Sequence, residues 1–139
     1  MRTSKLILIL LILFFVLIGA TSFTYYYLHK PDIIAVDMDL IVEDSKIIGV
    51  NSDTDALHFG TVPRGSMSIR KINISSNKDY PLLINVIIDG NFKDWVSVMN
   101  NTFILQPKEL GQIEFIVKVP KNAPFNSYNG TAYIFLRRY

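Results

Sequence analysis

The sequence predicts an all-β domain built as a β-sandwich of about seven to nine short strands, preceded by one N-terminal membrane helix. Three observations carry this. Apolar and polar residues alternate at a period of two through much of residues 31–139. Turn-forming clusters of Asn, Asp, Gly and Pro break those runs at intervals of roughly 8–12 residues. Residues 6–20 hold only Leu, Ile, Phe, Val, Gly and Ala, a composition suited to lipid rather than water.

The N-terminal segment comes first. Arg2 and Lys5 precede the apolar run, and no charge follows until after Leu28. Spanning a bilayer takes about 20 residues at a 1.5 Å rise, and residues 6–28 meet that length. Tyr25-Tyr26-Tyr27 falls where amphipathic rings sit at headgroup level, and His29 and Lys30 close the span. A cleaved signal peptide has a similar layout, and Ala20-Thr21-Ser22 offers small residues for cleavage. The apolar character continues past that point into the tyrosines, which favours a retained anchor. Residues 1–30 are therefore read as a signal-anchor contacting membrane lipid through residues 6–28. Arg2 and Lys5 hold the N-terminus in the cytoplasm, so residues 31–139 are expected outside it, in a single-pass layout.

Strand signals begin directly after the anchor. Ile34, Val36, Met38, Leu40 and Val42 alternate with acidic residues. Ile47-Ile48-Gly49-Val50 is a second apolar run, and residues 51–55 are a turn cluster. Residues 57–60 read as a short strand and residues 62–65 as a turn. Over residues 67–75 the phase breaks: Met67 and Ile69 share one parity, Ile72 and Ile74 the other. A β-bulge near Arg70-Lys71 would put all four on one buried face. Leu82, Ile84, Val86 and Ile88 form an unbroken apolar face, ended by the turn Asp89-Gly90-Asn91. Trp95, Val96 and Val98 make a short piece, and Phe103-Ile104-Leu105 another before Pro107. Ile113, Phe115, Val117 and Val119 alternate most cleanly of all. Residues 120–129 read as a loop with two prolines, and residues 131–136 as the last strand.

Composition narrows the function. Of 14 Lys and Arg, three (Arg2, Lys5, Lys30) precede residue 31, leaving eleven against twelve Asp and Glu, a net of −1. A nucleic-acid binder would carry a basic stripe, and no nucleic acid is expected as a partner. There is no cysteine, which excludes thiol catalysis, disulfides and thiolate metal sites. Stability must come from core packing.

The residues also resemble a known family. Leu57, Phe59, Gly60, Val62 and Gly65, then Ile72, Asn73 and Ile74, then Tyr80-Pro81-Leu82, resemble the pattern of Hydin-type, major-sperm-protein-like and PapD-like immunoglobulin folds. Residues 103–109 with Pro107, Val119-Pro120 and Tyr128-Asn129-Gly130-Thr131 look like membrane-anchored, immunoglobulin-like surface proteins of archaea. The resemblance covers about residues 33–136 and implies an immunoglobulin-like sandwich. It is nearly silent on activity, because sandwich folds host many roles. In this pattern Phe59 would plug the core, Gly60 would permit close backbone approach, and Gly65 would end a turn. Where the family often has Gly before the Tyr of the last hairpin, this chain has Asn126, expected in a left-handed turn.

Candidate chemistry is sparse. The histidines are His29, at the expected membrane interface, and His58, expected to point outward from its strand. No G-x-S-x-G elbow is present, so no catalytic residue is assigned and no enzyme is expected. Asn51, Asp53 and Asp55 fit positions 1, 3 and 5 of a calcium loop, but Ala56 and Val62 stand where Gly and Glu are required. A looser site with Asp37, Asp39 or Asp44 is conceivable, yet the plainer reading is a solvated turn; no metal or cofactor is assigned. Trp95 is expected in the core. Three N-glycosylation sequons start at Asn73, Asn100 and Asn129. Together these features imply an envelope module that acts by contact, binding another envelope protein or itself. The alternative is an accessory subunit, an assembly chaperone or the stator of a motility filament. The expected contact is a free edge of the first or last strand, guarded by Arg137 and Arg138.

Overall fold

Two regimes of side-chain solvation run through the chain, and a computed structural model shows how each folds. It describes residues 2–28, 30–44 and 56–139. The chain divides into two compact units, residues 1–30 and 31–139.

The first unit is the helix α1 (Arg2–Leu28). Its stretch Lys5–Tyr27, 23 residues, is long and apolar enough to cross a membrane. The side chains from Leu6 to Phe15 stand exposed on every face, as lipid solvation allows. The two threonines near its end do not leave polar hydroxyls bare. Thr21 donates to the carbonyl of Leu17 at 2.9 Å and Thr24 to that of Ala20 at 2.8 Å, the back-bonding that satisfies hydroxyls within a helix.

The second unit is mostly strand. Its elements are β1 (Asp32–Val42), β2 (Leu57–Val62), β3 (Met67–Ser75), β4 (Leu82–Gly90), a single 3-10 turn (Lys93–Trp95), β5 (Val96–Met99), β6 (Thr102–Leu105), β7 (Leu110–Lys118) and β8 (Asn126–Arg138). They form a five-stranded sheet in the order β2-β1-β8-β4-β6 and a three-stranded sheet in the order β3-β7-β5. All pairings are antiparallel except β1 with β2. Residues from both sheets meet in one buried cluster. Leu40, Val42, Ile84 and Ile134 come from the larger sheet, and Ile113, Phe115 and Val117 from the smaller. The period-two pattern explains this: one parity of each strand is apolar and turns inward.

Several expectations need correction. Strand β3 pairs with β7 in unbroken register from Met67↔Lys118 to Ser75↔Leu110, so Arg70-Lys71 holds no bulge. Met67 and Ile69 instead lie on the outer face, 60% and 43% exposed. The inner parity runs through Ser68 and Arg70, and Arg70 Nε donates to the carbonyl of His58 at 2.8 Å. That bond lets a cation take an inward position at the sheet's margin. The irregularity lies in β2: Asp39 pairs with His58 and Ile41 with Thr61, so β2 carries one extra residue at Phe59-Gly60. Gly60, at φ 72°, supplies the left-handed conformation such a bulge uses.

The last strand is also longer than expected and differently placed. It absorbs residues 126–130, and Asn126 is an extended residue paired with Val42, not a left-handed turn. Bonded to β1 on one side and β4 on the other, β8 lies at the centre of its sheet and offers no free edge. An edge contact through β8 is therefore excluded. Trp95 lies in the 3-10 turn and is half-buried against the core instead of within it. The apolar run Ile47-Ile48-Gly49-Val50 and the turn at residues 51–55 lie outside the described residues.

Candidate functional site

The residues with the most chemistry come together on the outer face of the five-stranded sheet. Asp37 and Asp39 share the outward parity of β1, and His58 is the direct partner of Asp39 across the parallel pairing with β2. Asn129 and Thr131 face them from β8, which pairs Asp37 with Thr131 and Asp39 with Asn129. These side chains border an open cleft of roughly 620 Å³.

Within the cleft, His58 Nδ1 donates to Asp39 Oδ2. Both side chains are about a third exposed, 33% and 39%, so water screens the pair and its stabilising effect is small. Asp39 orients the ring and leaves Nε2 as its remaining polar atom. A nucleophile would complete a catalytic set, but the hydroxyl of Thr131 donates to Asp37 Oδ1 at 3.4 Å. Among the described residues no group of three or more His, Asp or Glu is placed to hold a metal ion. The arrangement is a carboxylate-lined surface with one oriented imidazole, suited to polar contact.

Backbone approach shapes the cleft floor. A Cβ at Gly130 would lie 2.7 Å from the Asp89 carbonyl oxygen and 3.3 Å from Phe92 Cε1. A Cβ at Gly90, where φ is 132°, would lie 2.4 Å from Gly130 Cα. This pair of glycines lets β4 and β8 close beside Phe92. Phe92 is 1% exposed and meets Phe59 and Tyr128 edge-on, with centroids 6.4 Å and 6.5 Å apart. Tyr128 anchors the other side: its hydroxyl donates to the Pro124 carbonyl at 2.9 Å, and its ring lies 4.7 Å from that of Trp95.

The remaining positions singled out from sequence are structural or exposed. Phe59 is buried in the core. Gly65, at φ 71°, turns the chain between β2 and β3, its N–H donating to the Val119 carbonyl at 2.9 Å. Pro107 opens a turn closed by Glu109 N–H to Gln106 O at 3.1 Å, with Lys108 at φ 63°. That is type II geometry, with proline at its usual second position and lysine where glycine is preferred. Asn73, Asn100 and Asn129 are all exposed. Asn73 lies within β3 and accepts from Gln112 Nε2 at 3.1 Å; Asn129 lies within β8. Asn100 lies in the connection from β5 to β6, at φ 55°.

Sequence reasoning did not find the Asp39–His58 pair or Phe92. The pair depends on β1 and β2 lying side by side in parallel, and fourteen residues (43–56) separate them. That length is the one available signal, since parallel neighbours need a connection of about a dozen residues or more. Phe92 stands alone among turn residues and has no periodic context. No family model matches the chain, and no curated protein or solved structure matches it either.

Proposed function

We propose that this chain is a single-pass, membrane-anchored module whose immunoglobulin-like β-sandwich stands outside the cytoplasm and acts by contact, as a structural, adhesive or protein-binding component of the cell envelope. The observation that carries this reading is one helix with apolar side chains on every face, followed by a two-sheet domain with its own buried cluster. A helix of that kind is stable where lipid solvates it, and the domain's polar outer positions suit water. Within the cleft the Thr131 hydroxyl is engaged with Asp37 and not with the imidazole, which favours contact over catalysis. Arg2 and Lys5 bias the N-terminus to the cytoplasmic side.

The test uses the absence of cysteine. A single Asn122→Cys, at an exposed position, is introduced into the full chain in its host. Intact cells are then treated with a membrane-impermeant maleimide. Labelling of intact cells, with the protein retained in carbonate-washed membranes, is the expected result. Protection until lysis would place the domain inside and refute the reading. Crosslinking in native membranes then identifies the partner.

A further inference from the structure

The end of the domain at which β1 begins differs from the rest of its surface. Four segments meet there. Pro31 leads into β1. The β3–β4 connection approaches Asp32 through Lys78, whose Nζ lies 3.9 Å from its carboxylate. The turn Gln106–Glu109 follows Leu105, which pairs with Leu82, and Leu82 pairs in turn with Arg138. Tyr139 N–H donates to the Pro81 carbonyl at 3.1 Å, tying the end of β8 to the same place.

These segments carry Lys78, Lys108, Arg137 and Arg138 against the carboxylates of Asp32, Asp79 and Glu109. Four cations to three anions is the reverse of the domain's overall net of −1, and Asp37, Asp39, Glu43 and Asp44 lie further along or just beyond β1. Exposed apolar groups stand among the cations. Leu110 is 78% exposed, Tyr139 69%, Ile33 54% and Ile104 38%. The Arg138 guanidinium lies 4.6 Å from the centre of the Tyr80 ring. Cations on long apolar stems, mixed with tyrosine and aliphatic side chains, match a lipid headgroup layer, where rings and stems enter the interface and charges meet phosphate.

Chain length supplies the occupant. Three residues separate Leu28 from Asp32, and fully extended they reach at most about 14 Å. A helix that spans a bilayer therefore brings the start of β1 to the headgroup region. We infer that this end of the domain is an anionic-lipid-binding collar, formed by Lys108, Arg137, Arg138, Leu110 and Tyr139, that seats the module on the membrane surface. The inference rests on the reading of residues 6–28 as a membrane anchor.

The experiment reconstitutes the full chain in vesicles of phosphatidylcholine with or without phosphatidylglycerol, some of the lipid carrying a nitroxide on its acyl chains. Single cysteines at Leu110, Asn122 and Leu17 carry a fluorophore; Leu17 reports the anchor and Asn122 the far end of the domain. Quenching at Leu110 is expected to be about threefold stronger with phosphatidylglycerol, and to fall back when salt shortens the Debye length to a few Å. It should fall equally in a Lys108→Ser, Arg137→Ser, Arg138→Ser variant, with Asn122 unquenched throughout. Quenching at Leu17 without quenching at Leu110 would overturn the collar and leave the anchor standing. Quenching at Leu110 that ignores lipid charge, salt and the three serines would also overturn it, since the tether alone would then account for proximity. No quenching at Leu17 would remove the anchor and the collar together.

Discussion

Replacing Phe92 with alanine tests the interior most directly. The side chain is 1% exposed and fills the space between Phe59 and Tyr128 beneath the Gly90–Gly130 approach. Truncating a buried phenylalanine costs about 3–5 kcal/mol, from lost transfer energy and the cavity left behind. Part of that is two edge-on ring contacts, at about 0.5–1.5 kcal/mol each. A small domain holds only about 5–15 kcal/mol in total, so Phe92→Ala should remove about a fifth of it or more. The melting temperature should fall by roughly 12–20 °C at about 4 °C per kcal/mol for a domain of this size. Trp95→Ala should cost less than Phe92→Ala, because Trp95 is half-buried and rests on Tyr128 from one side. Calorimetry of the full chain in detergent compares the two. In the parent and in Phe92→Ala the single tryptophan, Trp95, also reports unfolding of the domain without interference from α1. A Phe92→Ala protein melting within about 2 °C of the parent would refute the aromatic cluster, as would a Trp95→Ala protein that melts well below the Phe92→Ala one.

Four further outcomes follow from named positions. Ile69→Lys should change stability by less than about 0.5 kcal/mol because Ile69 faces outward, whereas Ile72→Lys should prevent folding or nearly so; equal effects in chemical denaturation would restore the bulge. Lys108→Gly should raise stability by about 0.5–1 kcal/mol, since glycine occupies the left-handed position of the turn without strain; an unchanged denaturation midpoint would count against the type II geometry. Gly130→Ala should cost about 1–3 kcal/mol through overpacking against the Asp89 carbonyl, measured by the same denaturation. In a host that glycosylates exported proteins, peptide mass mapping should find glycan at Asn100 ahead of Asn73 and Asn129, because Asn100 lies in a connection and the other two lie within paired strands.

The sequence by itself determined the local features. A helix long and apolar enough to cross a membrane follows from an uncharged apolar run. The inward parity of β1, β4 and β7 follows from alternation, because successive strand side chains point to opposite faces. Phe59 in the core was legible from its own motif and its place beside an outward His58. Only the tertiary structure decided which strands lie side by side. Alternation says which face of a strand is buried but not which strand lies beside it, so nothing local distinguished a central β8 from an edge. Nor could it place Asp39 opposite His58. Where polar residues occupied inward positions, as Ser68 and Arg70 do in β3, alternation suggested a bulge; pairing with β7 and the Arg70 bond to the His58 carbonyl held the register instead. The basic end of the domain has the same origin. Lys78, Lys108 and Arg138 are scattered along the chain, and strand pairing alone gathers them, because hydrogen bonds between distant segments determine which turns share an end.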